Sequence, residues 1–252
     1  DRVITYSEFD TQLGDRIVCF SDGVTQSGLG RPGLPFGWGH AATQDFLREQ
    51  INRENEISAR ELSCRLVSEA ALKDGRSAKD DITCGVVYYR RPRRLLVITG
   101  PPFNRERDGE LAGLAEGFNG RKVICGGTTA NIVSRLLNRP VRVPLTPGHF
   151  DLPPAAEMDG MDLVTEGTVT LAKAADLLER GPATDPRKSP AVDLMTLMLQ
   201  SDIVEFVVGT RINEAHQDPN VPVELDLRRN IVRKIAGLLE TRYLKEARVR
   251  FI

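Results

Sequence analysis

The sequence is poor in the residues that build zinc sites, disulfide frameworks and membrane spans. Its 252 residues include four cysteines and three histidines (residues 40, 149 and 216), and neither type is spaced like a set of metal ligands. The cysteines mostly lie within apolar segments, which indicates reduced thiols in the core of a cytoplasmic protein. No apolar run approaches the ~20 residues that span a bilayer, and no signal peptide is visible.

The sequence also lacks an excess of either charge. Lys and Arg number 34 and Asp and Glu number 35, which gives a formal net charge of -1. A chain this balanced has no global field that attracts nucleic acid or an anionic membrane, so neither is expected as a partner. The hydrophobic fraction of 40% and the charged fraction of 27% are typical of a globular chain, and the length suggests about two domains.

Two segments, about sixty residues apart, place carboxylates beside a predicted strand. The first has a turn at Gly14-Asp15, an apolar strand from Ile17 to Phe20, and then Asp22-Gly23. In the second, Asp80-Asp81 precedes an apolar strand that runs to Tyr89. If the two strands are neighbours, Asp22 and Asp80 come within reach of one hard cation such as Mg²⁺ or Mn²⁺. The alternative is a capping role for Asp22 and a solvated turn at Asp80-Asp81.

Both segments resemble motifs of the metal-dependent protein phosphatase family (type 2C), and most closely its SpoIIE-like bacterial branch. The matching residues are Gly14-Asp15-Arg16, Ser21-Asp22-Gly23-Val24-Thr25 and Asp80-Asp81-Ile82-Thr83. The resemblance implies that Asp22 and Asp80 are ligands of Mn²⁺ or Mg²⁺, with two ions in the intact enzyme. Asp81, where other branches often have Asn, and Gly23 are candidates for a further ligand or for groups beside the ligands.

The resemblance further implies a fold and an activity for residues 1–91. The fold is part of a phosphatase-type β-sandwich with helices. The activity is hydrolysis of phosphoserine or phosphothreonine on a regulatory phosphoprotein in signalling. A metal-activated water is the nucleophile, so no catalytic side chain is assigned and no covalent phosphoenzyme is expected.

The resemblance covers residues 1 to about 90 and matches the back half of the family's catalytic domain. Nothing in the sequence matches the front-half Asp that bridges both metals in the family. The sequence begins at Asp1, inside a strand-like run. We therefore expect a fragment, or a processed chain, that lacks the N-terminal half of the active site.

Local patterns predict the elements around these motifs. Residues 3–9 and 16–21 are predicted to form an antiparallel hairpin, and a glycine-rich loop follows from residue 27 to 39. A helix is predicted from His40 to Arg53, with Ala41, Phe46 and Ile51 on one side. Ser58 and Glu61 form a capping-box pattern for a second helix that runs to about residue 73.

A basic segment, residues 90–94, marks the predicted boundary between the phosphatase-like residues 1–91 and an accessory domain, residues 95–252. Apolar strands alternate with helices in the second part, which predicts a Rossmann-like, mostly parallel α/β domain. Strands are expected at 95–100, 122–125, 161–165 and 205–208. The last long helix is expected from about 223 to 246, followed by a short tail at 249–252. The overall prediction is an α/β protein whose first part is α+β.

Three predicted strands of the second part end in Gly-Thr. Helix N-termini gathered at one sheet edge bind anions, so these loops are candidates for a small anionic ligand. The alternative is ordinary helix capping, since no loop matches a Walker A or Gly-x-Gly-x-x-Gly pattern. The candidate anion-binding residues are Gly126, Gly127, Thr128, Thr129, Gly167, Thr168 and Thr210.

Two functional hypotheses follow. The first is a metal-dependent phosphoprotein phosphatase with an α/β accessory domain. The second is a non-catalytic sensor or binding protein that uses the α/β domain, with the phosphatase-like half as scaffold. An enzyme based on the second domain alone lacks support, because no nucleophile and base pair is evident. The last long helix is amphipathic, so packing against another subunit, and hence an oligomer, stays open.

Overall fold

The computed structural model describes residues 5–144, 152–181, 189–211 and 221–252, and in the last range it describes side chains from Leu227 onward. The chain divides into two compact units, Asp1–Arg91 and Pro92–Ile252. Eight helices and two sheets make up the described part, so the predicted α/β class is confirmed.

The first unit is built on a two-stranded antiparallel sheet. Strand β1 (Arg16–Phe20) pairs with β2 (Cys84–Tyr88). Alternate side chains of this ladder, such as Val18 and Val86, pack against a helical core, whereas Val87 is 62% exposed. The helices are α1 (Asp22–Gln26), α2 (His40–Arg53) and α3 (Ala59–Lys73). The buried core residues are Val24, Trp38, Leu47, Ile57, Leu62, Leu66 and Ala70.

The predicted hairpin between residues 3–9 and 16–21 is wrong over the described residues. Residues 5–13 form no strand, and β1 takes its partner from β2, far along the sequence. Tyr6 and Phe9 are 81% and 65% exposed, so the segment offers no buried face for a sheet. The predicted turn is present, with Gly14 at φ +106°, and residues 3–4 lie outside the described residues.

The two long helices of the first unit follow the sequence prediction closely. Helix α2 has the predicted bounds, and Ser58 caps α3 by accepting a hydrogen bond from the Glu61 N–H at 3.1 Å. The predicted inner side of α2 is confirmed for Phe46 and Ile51, which are partly buried against the core, but it is wrong for Ala41. The buried residues of α2 are Thr43, Leu47 and Gln50, whereas Ala41 is exposed.

The second unit contains a five-stranded parallel sheet in the order β5-β4-β3-β6-β7. In chain order this is 3-2-1-4-5, the order of doubly wound sheets that reverse direction beside their first strand. The predicted parallel α/β layer is therefore confirmed. The strands are β3 (Arg94–Thr99), β4 (Arg121–Cys125), β5 (Leu163–Thr165), β6 (Ile203–Val208) and β7 (Glu246–Phe251).

Helices cover both faces of this sheet. Leu96 and Ile98 contribute to a core with α4 and α5, while Leu95 and Val97 contribute to the opposite core with α6, α7 and α8. Such two-sided burial explains the continuous apolar run of β3. The helices are α4 (Asp108–Gly117), α5 (Gly127–Leu137), α6 (Thr168–Arg180), α7 (Pro190–Gln200) and α8 (Val221–Tyr243).

The C-terminal segment differs from its prediction as a short tail. Strand β7 pairs in parallel with β6, from Glu246 opposite Ile203 to Phe251 opposite Val208. Correspondingly, α8 ends at Tyr243, earlier than predicted. In the described part of the chain, every helix is too short or too polar to cross a bilayer.

Candidate functional site

The Ser21 side chain joins the two predicted metal-binding motifs. Its hydroxyl donates to the Asp81 carbonyl at 2.6 Å and accepts from the Thr83 N–H at 2.9 Å, while the Ser21 N–H donates to the Thr83 carbonyl at 3.0 Å. These three hydrogen bonds extend the β1–β2 ladder beyond Phe20. The end of β1 and the segment that enters β2 are therefore held together.

Gly23 brings the same two segments into closer contact. A Cβ added to Gly23 would lie 2.5 Å from the Asp81 carbonyl oxygen and 3.6 Å from the Asp80 carbonyl carbon. Since real Cβ atoms do not approach a backbone oxygen this closely, the position requires glycine. The sequence singled out Gly23 for close approach, and its neighbour here is the backbone of Asp80-Asp81.

Asp22 and Asp80 lie on these two touching segments, and both are exposed. Asp22 is the first residue of α1, so it opens a short helix rather than a turn. Asp22 Oδ2 accepts from Gln26 Nε2 at 3.1 Å, and Asp80 Oδ1 accepts from the Asp81 N–H at 2.8 Å. In each of these carboxylates, one oxygen is thus held by a hydrogen bond from its own segment. The Asp81 carbonyl accepts the hydrogen bond from the Ser21 hydroxyl.

A hard divalent cation favours oxygen ligands such as the carboxylates that these segments carry. Asp22, Asp80 and Asp81 supply that chemistry on two adjoining backbones. Among the residues that the structure describes, no group of three or more His, Cys, Asp or Glu side chains is arranged to hold a metal ion.

Asp74 supports this region and was missed by the sequence analysis. It is 3% exposed, and its Oδ1 accepts from the Gly28 N–H at 2.7 Å while its Oδ2 accepts from the Lys79 N–H at 3.4 Å. Asp74 therefore ties the glycine-rich loop to the residue before Asp80. Its position at the end of α3, directly before Gly75, was the sequence signal that could have marked it.

Two of the three predicted anion-binding loops meet in the second unit. Gly126 directly follows β4 and donates its N–H to the Thr165 carbonyl of β5 at 2.8 Å. A Cβ added to Gly167 would lie 3.5 Å from the Gly126 Cα, so the two loops touch through their glycines. Gly126 is the N-cap of α5 and Gly167 the N-cap of α6. The loops therefore bring two helix N-termini together, with Gly127 and Thr128 exposed and Thr168 half-buried.

Thr129 places a polar atom at this junction. It is 1% exposed, and its hydroxyl has no hydrogen-bond partner in the described part of the chain. Its Oγ1 would lie 3.4 Å from a Cβ added to Gly126, so the hydroxyl faces the space that the missing side chain leaves.

Thr210 lies apart from these loops. It follows β6, and β3 separates β6 from β4 in the sheet. Both its N–H and its hydroxyl donate to the Ile252 carbonyl, at 3.0 and 2.8 Å. These bonds hold the end of β7 beside β6, so both donors of Thr210 are used in hydrogen bonds at the edge of the sheet.

Cys125 directly precedes the Gly126 loop. Burial raises the pKa of its thiol to about 12. A neutral thiol is a poor nucleophile, so Cys125 acts here as a core side chain. Burial also raises the pKa of Cys84 in β2. His149 and His216 lie outside the described residues.

No family model matches the chain, and neither a search of curated proteins nor a search of solved structures finds a match.

Proposed function

We propose that the first unit carries metal-binding residues of a SpoIIE-like, metal-dependent serine/threonine phosphoprotein phosphatase. The observation that supports this proposal is the joint between the two motifs, in which the Ser21 hydroxyl bonds to Asp81 and Thr83. A solvated turn at Asp80-Asp81 would not require this bridge or the glycine at position 23. In this proposal β1 and β2 belong to a phosphatase-type β-sandwich, and the protein acts in the cytoplasm.

In the proposed site, Asp22 and Asp80 hold Mn²⁺ or Mg²⁺ through their carboxylates. Ser21 and Gly23 fix the spacing between the two segments, and Asp74 fixes the backbone at Lys79. Held there, the ions would lower the pKa of a bound water, so that it could attack phosphorus as hydroxide, and would offset the charge of the phosphoryl oxygens. Asp81 acts through its backbone carbonyl, which receives the Ser21 hydroxyl.

Mn²⁺ titration calorimetry tests this proposal. We expect the wild-type chain to bind Mn²⁺, and Asp22→Asn and Asp80→Asn each to weaken binding by about tenfold or more, since each removes a charged ligand. Asp45→Asn is the matched control, because Asp45 is an exposed carboxylate on α2 that pairs with Arg48. Hydrolysis of p-nitrophenyl phosphate, measured in parallel, should fall with Mn²⁺ affinity.

Two results would contradict the proposal. The first is a wild-type chain that does not bind Mn²⁺. The second is Mn²⁺ binding that Asp22→Asn leaves as strong as Asp45→Asn does.

The alternative function is a non-catalytic sensor that binds a small anion through the α/β unit. The contact between the N-termini of α5 and α6, with the buried Thr129 hydroxyl facing Gly126, favours it. Backbone N–H groups at helix N-termini attract anions. Absence of Mn²⁺ binding would favour this function over the phosphatase.

A further inference from the structure

The carboxyl ends of β3 and β6 form the switch point of the second unit's sheet. The two strands are neighbours, yet the chain leaves β3 through α4 toward β4 and leaves β6 through α8 toward β7, on opposite sides. In open α/β sheets the resulting crevice is where ligands bind. The sequence analysis assigned no role to the residues that follow β3 here.

The backbone segments that follow β3 and β6 pack closely against each other. The Gly209 N–H donates to the Thr99 carbonyl at 2.8 Å, and a Cβ added to Gly209 would come within 2.1 Å of the Pro101 carbonyl oxygen. The Arg211 N–H then donates to the same Pro101 carbonyl at 3.1 Å. The start of the Arg211 side chain is therefore fixed relative to the loop after β3.

Charged side chains from three elements approach this point. Asp108, the first residue of α4, is 7% exposed. Arg211 Nη2 lies 3.9 Å from Asp108 Oδ1, and Arg135 Nη2 of α5 lies 3.4 Å from Asp108 Oδ2. The Arg228 guanidinium of α8 lies against Gly100, with Nη1 2.6 Å from the position of an added Cβ. Two guanidinium groups, those of Arg211 and Arg135, thus approach the one buried carboxylate of Asp108.

Two buried atoms in this cluster lack partners in the described part of the chain. They are Asp108 Oδ1 and Arg211 Nη1, and neither makes a hydrogen bond there. The 3.9 Å separation between the two side chains is too long for a hydrogen bond. A buried polar atom without a hydrogen bond is costly, so these two atoms are poorly satisfied by the protein alone.

The hydrogen-bonding chemistry of these two atoms indicates which groups a ligand needs in order to pair with them. Arg211 Nη1 is a donor in a cationic setting, and guanidinium groups favour phosphate oxygens. Asp108 Oδ1 is an acceptor, so the ligand must also carry a donor. An amine donor would be repelled by Arg135 and Arg211, whereas a hydroxyl is neutral and both donates and accepts.

We propose that this crevice binds a small phosphorylated sugar, with its phosphate on Arg211 and a hydroxyl on Asp108 Oδ1. The site differs from the Gly126–Gly167 loops by its location and by its charged side chains. It is independent of the metal-binding residues of the first unit.

Calorimetric titration of the full chain with ribose 5-phosphate tests the proposal, with inorganic phosphate and ribose as separate probes. We expect ribose 5-phosphate to bind with a Kd of about 1 mM or tighter, inorganic phosphate to bind about tenfold more weakly, and ribose to give no measurable binding. Arg211→Gln should weaken both phosphate-containing probes by about tenfold or more. Asp108→Asn should remove the advantage of ribose 5-phosphate over phosphate, because the amide replaces one acceptor oxygen.

Arg248→Gln is the matched control and should bind like the wild type, because Arg248 lies on β7 and pairs with Glu246. Thermal unfolding identifies any variant that fails to fold, and Arg211→Lys or Asp108→Glu then replaces the variant at the same position. The proposal is overturned if ribose 5-phosphate does not bind the wild type. It is equally overturned if phosphate binds as tightly as ribose 5-phosphate, or if Arg211→Gln and Arg248→Gln bind alike.

Discussion

The two units cover their sheets differently. In the second unit β3 is buried from Leu95 to Thr99, and helices pack on both faces. In the first unit the β1–β2 ladder alternates, with Val86 packed against helices and Val87 exposed. Two-sided burial gives continuous apolar strands, whereas one-sided burial gives alternating ones. The second sheet is thus stabilised mainly by side-chain burial, while the end of the first sheet beside Asp22 depends on contacts with the backbone at Ser21 and Gly23.

The largest effect that this comparison predicts concerns Phe206 of β6. Its side chain is 1% exposed in the core formed with α6, α7 and α8. We expect Phe206→Ala to lower the free energy of unfolding by about 3–5 kcal/mol, because it removes buried apolar surface and leaves a cavity. Urea unfolding followed by far-ultraviolet circular dichroism measures the loss.

Phe103→Ala provides the control within the same unit. Phe103 is 68% exposed, so its removal should change the free energy of unfolding by no more than about 0.5 kcal/mol. A loss below about 1 kcal/mol for Phe206→Ala would mean that two-sided burial does not dominate the stability of this unit.

The same contrast explains which elements the sequence could predict. Strand β3 was predicted correctly because its continuous apolar run reports burial on both faces directly. Strand β7 was missed because it lies at the sheet edge and alternates charged residues, with Glu246, Arg248 and Arg250 at every second position. The hairpin was wrongly predicted because a local pattern identifies a strand but does not identify its partner.

The candidate site shows the same limit. The sequence predicted that Asp22 and Asp80 would be neighbours if their strands paired, and β1 does pair with β2. The Ser21 bridge could not be predicted, because it depends on contact between segments sixty residues apart. The contact between Asp108, at the start of α4, and the partly buried Arg211, after β6, likewise joins distant segments and left no local pattern.

A smaller effect is expected at the backbone joint of the first unit. Gly23→Ala should lower the free energy of unfolding by about 1–3 kcal/mol, because the new Cβ would meet the Asp81 carbonyl oxygen at 2.5 Å. Trp38 is the single tryptophan of the sequence and lies in the core of this unit. Its fluorescence during urea unfolding therefore reports the change.

Gly85→Ala is the matched control on the neighbouring strand. No described atom lies within 4 Å of a Cβ at Gly85, so the change should stay within about 0.5 kcal/mol. Equal losses for Gly23→Ala and Gly85→Ala would indicate that the close approach at Asp81 relaxes at little cost. The joint would then not be a defining feature of the first unit.

The smallest effect is absent at neutral pH and appears only in alkali. Burial raises the pKa of Cys125 to about 12, whereas a cysteine in an unfolded chain titrates near about 8.5. Between these values the unfolded chain loses the thiol proton while the folded chain keeps it. The unfolded state then binds fewer protons, so the free energy of unfolding falls as pH rises from about 9 toward 12.

Urea unfolding at pH 8 and at about pH 10 measures this fall. Cys125→Ala should reduce the fall, while Cys19→Ala, at an exposed thiol of the first unit, should leave it unchanged. If the two variants lose stability in parallel with the wild type, the Cys125 thiol ionises as easily in the folded chain as in the unfolded one. The helices on the two faces of β4 would then shield the Cys125 thiol from water less well than its complete burial indicates.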